Sequence, residues 1–300
     1  MGEIGAIAVG AVGAAVLLVI STSVARWYGH GRWQRTIWGF RLPAGERPKI
    51  IMETIEGEET GLYRRPTAGL GAVAAVASLS SAINITRSGL IHRATRSLAH
   101  PAALSFSTEA LADEWCSDSD TVVVGGPKSN QISRQILAAF GCQPPTGSKV
   151  PDEELLQLTA ALRMTESDGE GGLGVATQDN AIYWFGEKYA GHVTLATDDA
   201  TGRDAYRGYD YGVVLRLPSP TNSDRRLVVV FGSQTFGVAA ASSWLANLRR
   251  RQAGPKVRKL MAKKKNVAVL VEADVAHGQL ADPKLVEIVV LPDHLEPRNW

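Results

Sequence analysis

The chain has 300 residues, 45% of them hydrophobic and 21% charged, which excludes a disordered protein. Its formal net charge of +2 singles out no oppositely charged partner. Cys116 and Cys142 are the only cysteines, so a disulfide framework is excluded, and no Cys/His spacing suits a metal site.

From Ile4 to Ala25 the chain carries no charge, a run about long enough to cross a bilayer core as a helix. Arg26, Arg32, Arg35 and Arg41 follow, interleaved with Trp27, Tyr28, Trp33 and Trp38. This pattern predicts a transmembrane helix at 1–25, with the arginine side in the cytoplasm. The expectation is a single-pass cell-membrane protein, N-terminus outside and bulk cytoplasmic. A cleaved signal peptide would place basic residues before the apolar run, and Met1-Gly2-Glu3 has none. The Gly and Ala of residues 4–15 could pack two anchors together, so a homo-oligomer is a candidate state. Residues 26–62 read as a juxtamembrane connector and 63–300 as the main domain.

Residues 67–85 are Ala-, Gly- and Ser-rich, which favours a helix outside the membrane over a second span, with Thr67 as its cap. Its expected face is Leu70, Val73, Ala77, Ser80 and Asn84. Residues 105–117 predict a further helix. Thr121 to Val124 is a short β-branched run of the kind found in buried strands, and Gln131 to Phe140 has helical spacing, with Gly141 as C-cap. A helix is expected at 151–164, then a loop over 165–180. Residues 181–186 and 192–197 predict neighbouring strands, and 211–217 a strand stopped by Pro218 and Pro220. Leu227 to Phe231 predicts a strand and Val238 to Leu248 a helix. Residues 267–275 and 285–292 predict two strands around His277-Gly278.

Strands alternating with helices predict an α/β fold, a Rossmann-like, largely parallel sheet with flanking helices. Ligands then sit at the carboxyl ends of the strands. Two loops reach that rim. Gly125-Gly126-Pro127-Lys128-Ser129-Asn130 joins a strand to a helix whose first N–H groups favour an anion, and Lys128 adds a charge. The plainer reading is a βα turn, with Ser129 or Asn130 as N-cap. Gly232-Ser233-Gln234-Thr235-Phe236-Gly237 is built alike, with Ser233, Gln234 and Thr235 offering polar groups. There the plainer reading is that Gly232 and Gly237 permit close helix–sheet packing. Neither loop has Walker A or dinucleotide-fingerprint spacing.

The runs VVVGGPKSN and YDYGVVLRLPSPTNSDRRLVVVFGSQTFGVAAASSWL, with YRRPTAGLGAVAA before them, resemble a pattern in uncharacterised bacterial, mainly actinobacterial, membrane-anchored proteins. There a GGPxxN unit precedes DYG and a GxxxxGxxAA helix; domains of archaeal surface-layer proteins show a fainter echo. The resemblance implies a Rossmann-like domain and carries no settled activity. This chain has Ser219-Pro220 where that family often has Asn-Pro, and Gly237-Val238 where Gly-Thr is common. The second change removes a hydroxyl from the helix start.

No G-x-S-x-G elbow or H-E-x-x-H spacing is present. Glu187 and Asp210 are the weak candidates for catalytic carboxylates. Tyr183-Trp184-Phe185 could stack a base, the plainer reading being strand core. The run Arg249 to Lys265 holds nine lysines and arginines; it could face anionic lipid, nucleic acid is not the expected partner, and the plainer reading is a solvated helix end and loop. An anchor plus two glycine loops without a catalytic set predicts a membrane-tethered module. It would bind a nucleotide or related phosphorylated small molecule, as a sensor or effector in bacterial stress or phage defence. A nucleotide or NAD hydrolase and a ligand-free scaffold are the alternatives.

Overall fold

The computed structural model describes residues 37–40, 48–52, 55–56, 66–84, 103–106, 119–140, 149–164, 173–197, 202–248, 254–263, 266–293 and 295. The elements run β1 (Lys49–Met52), β2 (Ile55–Glu56), β3 (Pro66–Thr67), α1 (Leu70–Asn84), β4 (Ala103–Phe106), β5 (Thr121–Val124), α2 (Gln131–Ala139), α3 (Asp152–Met164), β6 (Val175–Gln178), β7 (Ala181–Trp184), β8 (Glu187–Ala190), β9 (His192–Thr197), β10 (Asp204–Pro218), β11 (Arg226–Gly232), α4 (Thr235–Asn247), α5 (Gly254–Lys263), β12 (Val267–Ala276), β13 (Gln279–Leu280) and β14 (Lys284–Val290).

Nine strands form one sheet in the order β13-β12-β10-β11-β5-β1-β4, with β14 also on β12 and β9 also on β10. Three pairings are parallel, β1 with β4, β1 with β5, and β11 with β5. The five others are antiparallel. The expected Rossmann-like, largely parallel sheet is therefore corrected to a strand-rich mixed sheet. The reason is connection length. A parallel return needs a crossover of about a dozen residues or more. Only residues 219–225 join β10 to β11, and they fold back through Ser219 N–H to Arg225 O and Arg225 N–H to Asn222 O. Similarly short links join β9 to β10 and β12 to β14. The sheet also draws β1 and the buried residues Ile37, Trp38 and Phe40 from the stretch read as connector.

The single-pass membrane expectation is corrected as well. Among the described residues no helix is long and apolar enough to cross a membrane. The apolar helix α1 has 15 residues, about 22 Å at helical rise and short of a bilayer core. The segment 1–25 lies outside the described residues, as do residues 107–117 of the expected helix at 105–117, Gly141, and both cysteines. Helix α1 starts three residues beyond Thr67. It buries Ala72, Ala75, Leu79 and Ile83, while Leu70 and Val73 of the expected face are exposed.

Two cores sandwich the sheet. On one face α1, α4 and α5 contribute Leu79, Val238, Trp244, Val257 and Met261, against Val122, Val214, Val228 and Val269. On the other, Ile132, Ile136 and Leu137 of α2 join Trp184 and Phe185, against Val123, Val213, Leu215, Val229 and Phe231. A three-stranded sheet, β6-β7-β8, occupies this second side, and β6 lies within the stretch expected to be loop. Tyr183 and Trp184 of β7 and Phe185 in the turn after it are all buried, Trp184 and Phe185 in this core and Tyr183 on the other face of the small sheet, with Trp184 Nε1 donating to Glu287 at 2.6 Å.

Arg216 of β10 is 1% exposed. Its guanidinium donates to Ile37 O at 3.1 Å and Met261 O at 2.7 Å, and burial pushes its pKa down to about 10. It thus remains charged at neutral pH and ties residues far apart in sequence.

Candidate functional site

Both glycine loops open on one rim. Val124 of β5 pairs in parallel with Val230 of β11, so the two chains leave the sheet side by side. Strand β10 runs the other way, with Gly212 opposite Gly232, so its first half projects past that rim.

The Gly232–Gly237 loop is filled by the protein itself. Asp210 is fully buried, and its carboxylate accepts four hydrogen bonds. Oδ1 takes Ser233 Oγ–H at 2.5 Å, Tyr211 N–H at 2.8 Å and Gln234 N–H at 3.2 Å; Oδ2 takes Gly237 N–H at 2.5 Å. Gln234 occupies the N-cap position of α4 without a capping side chain. Asp210 supplies the missing acceptor from the neighbouring strand, with its negative charge against the positive end of the helix. Burial pushes its carboxyl above the ordinary range, against the pull of these hydrogen bonds. Gly191 covers the group, its own carbonyl accepting from Gln234 Nε2 at 3.1 Å. The anion seat read from this loop therefore already holds an anion. Gly232 and Gly237 sit where helix and strand backbones meet: a Cβ on Gly237 would lie 1.9 Å from Tyr211 O. Thr235 is exposed at the helix start.

The Gly125–Asn130 loop differs. Asn130 caps α2, its Oδ1 accepting from Ile132 N–H at 3.0 Å and Ser133 N–H at 3.3 Å, while its Nδ2 donates to Val124 O at 2.9 Å. Gly125 turns the chain at φ 113, and its carbonyl accepts from Ser133 Oγ at 2.6 Å. Arg134 Nε holds Pro127 O at 2.9 Å, and Ser129 N–H closes on Gly126 O at 3.1 Å. Among the described residues the amides of Gly126, Lys128 and Gln131 have no hydrogen-bond partner. The Lys128 side chain is exposed, and Gly126 faces open space, with only Phe231 Cβ near, at 3.9 Å.

Across the rim on the α2 side stands an aromatic row that the sequence reading passed over. Tyr189 of β8 and Tyr211 of β10 meet edge to face at 5.3 Å, Tyr211 and Tyr209 at 5.8 Å, and Tyr209 and His192 at 6.2 Å. Tyr189 donates to Glu187 Oε2 at 2.5 Å. Burial pushes Tyr189 and Tyr211 up to about 12, with Glu187 and Glu272 adding to the shift. The signal available was Tyr209 and Tyr211 at i, i+2, which share one face of a strand.

Glu187 and Asp210 are not brought together. Asp210 points at α4, whereas Tyr211, its chain neighbour, packs with Tyr189 and Glu187 on the opposite face. An acid–base pair needs both groups on one reacting centre. No family model, no curated protein and no solved structure matches the chain.

Proposed function

We propose that this rim binds a nucleotide or related phosphorylated small molecule, its anionic group on the Gly125–Gln131 turn and its planar group on Tyr189, Tyr209 and Tyr211. One observation carries the reading. Unpaired amides and an exposed lysine lie on the same rim and face as the tyrosine row, with only β11 between β5 and β10. Two strand spacings are about 10 Å, a span that a base and its phosphate can bridge. Backbone amides at a helix start favour anions, and stacked aromatics accept a base. The role is binding without turnover, since Asp210 is committed to α4 on one face and cannot pair as acid and base with Glu187, which is bonded to Tyr189 on the other. The site would then act as a sensor or effector module.

The test is calorimetric titration of the full-length chain with ATP, NAD and cyclic nucleotides, beside two variants. Gly126→Asp puts a carboxylate in the anion seat where space is open, so it should keep the wild-type melting temperature and abolish binding. Tyr211→Ala should weaken binding about tenfold or more, the usual worth of a stacked base. Absence of binding to every one of these ligands would leave the scaffold reading in place.

A further inference from the structure

The ribbon formed by β9 and the first half of β10 leaves one edge of the sheet open. Among the described residues strand β9 pairs only with β10, from His192 opposite Tyr209 to Thr197 opposite Asp204. Along it His192, Thr194, Leu195 and Thr197 are exposed, Leu195 at 57%. Tyr206 at 48% and Tyr209 at 39% lie beside it on the two faces. An edge of this kind presents a row of main-chain donors and acceptors onto which another strand can pair.

The edge at β14 shows the contrast. It carries Lys284, bound to Asp274 at 3.1 Å, and Glu287, held by Trp184, and its register slips at Leu270/Val271. Charges and a bulge are the devices that keep strands from pairing further. Strand β9, HVTLAT, has neither carboxylate, lysine nor arginine, and its register on β10 is unbroken.

We infer that β9 pairs antiparallel with β9 of a second copy of this chain. A twofold axis perpendicular to the sheet keeps each face continuous and sets Leu195 opposite the partner's Leu195, with Val193 opposite the partner's Thr197. Only the residue on the twofold faces its own copy, where a charge would repel its like, and there β9 places the uncharged Leu195. The pairing is self-complementary: apolar Leu195, opposite Tyr206 on β10, which itself packs on Phe236 of α4, meets apolar Leu195 on the α4 side. One short strand a side is a small interface, so the dissociation constant should be on the order of 10 µM.

Analytical ultracentrifugation of the full-length chain from about 1 to 100 µM, a range bracketing that affinity, tests this. Wild type should move from monomer to dimer. Leu195→Lys and Leu195→Asp, both at an exposed position that the fold tolerates, should each remain monomeric at every concentration. An equimolar mixture of the two should dimerise again, since opposite charges then face each other. A monomeric wild type would overturn the inference and leave the edge to a foreign strand. A dimer that survives Leu195→Lys, or a mixture that stays monomeric, would overturn it equally.

Discussion

Asp210→Ala should cost the fold about 4 kcal/mol, because it strips one acceptor from four donors at once. Three amides and the Ser233 hydroxyl lose their partner inside a site covered by Gly191. Each buried donor left unsatisfied costs about 1–3 kcal/mol, moderated where local relaxation admits water. The start of α4 also loses the negative charge that its dipole favours. For a chain of this size the melting temperature should fall by roughly 10 °C. Asp210→Asn, which keeps one accepting oxygen but turns an NH2 group toward a donor, should lose about half as much. Urea unfolding followed by circular dichroism reads both. A loss under about 1 kcal/mol for the alanine variant would show that the carboxylate does not cap the helix.

Gly237→Ala should be as damaging through sterics alone. The added methyl would stand 1.9 Å from Tyr211 O and 3.0 Å from Gly232 Cα, and both are backbone atoms with nowhere to swing. Helix α4 would have to lift from the sheet by more than 1 Å, loosening Val238, Ala241, Trp244 and Leu245 from the core they fill. Forced overpacking typically costs 1–3 kcal/mol and here should exceed about 3, since no side chain can repack to relieve it. Gly126→Ala is the control, because its methyl meets only Phe231 Cβ at 3.9 Å; it should shift stability by less than about 0.5 kcal/mol. Parallel melting curves decide the matter. Equal loss at the two glycines would refute the account of why the two loops differ.

Local periodicity was enough to find α2, α3, β5, β11 and α4, whose spacing or β-branched runs state their class within a few residues. It did not reveal how the strands pair, which depends on the length of what joins them. Seven residues between β10 and β11 already exclude a parallel return, and that arithmetic was open to sequence reading. The N-terminal half of β10 escapes local pattern because Asp204–Gly208 is polar and glycine-containing; it is a strand through its pairing with β9, which β12 joins from Gly208 onward. At the site, the two glycine loops look equivalent on paper. They differ because a carboxylate 27 residues away closes one of them, a long-range contact that no local pattern records. Position alone, by contrast, narrows the cap of α2 to Ser129 or Asn130, and Asn130 is the one that caps it.

The bond from Arg216 to Ile37 spans 179 residues, and its companion reaches forward 45 residues to Met261. On the ribosome this sets an order of assembly. When residues 37–40 and β1 emerge, β11, which completes the parallel half through β5, has not been made, and neither has the guanidinium that fastens Ile37. Residues 37–40 therefore lack this anchor until Arg216, more than two-thirds of the way along the chain, has been synthesised, and the guanidinium's second partner until Met261 follows. Chains that stop before α5 should accordingly be the preferred prey of chaperones and proteases, and synthesis speed through residues 200–260 should govern the yield of folded protein.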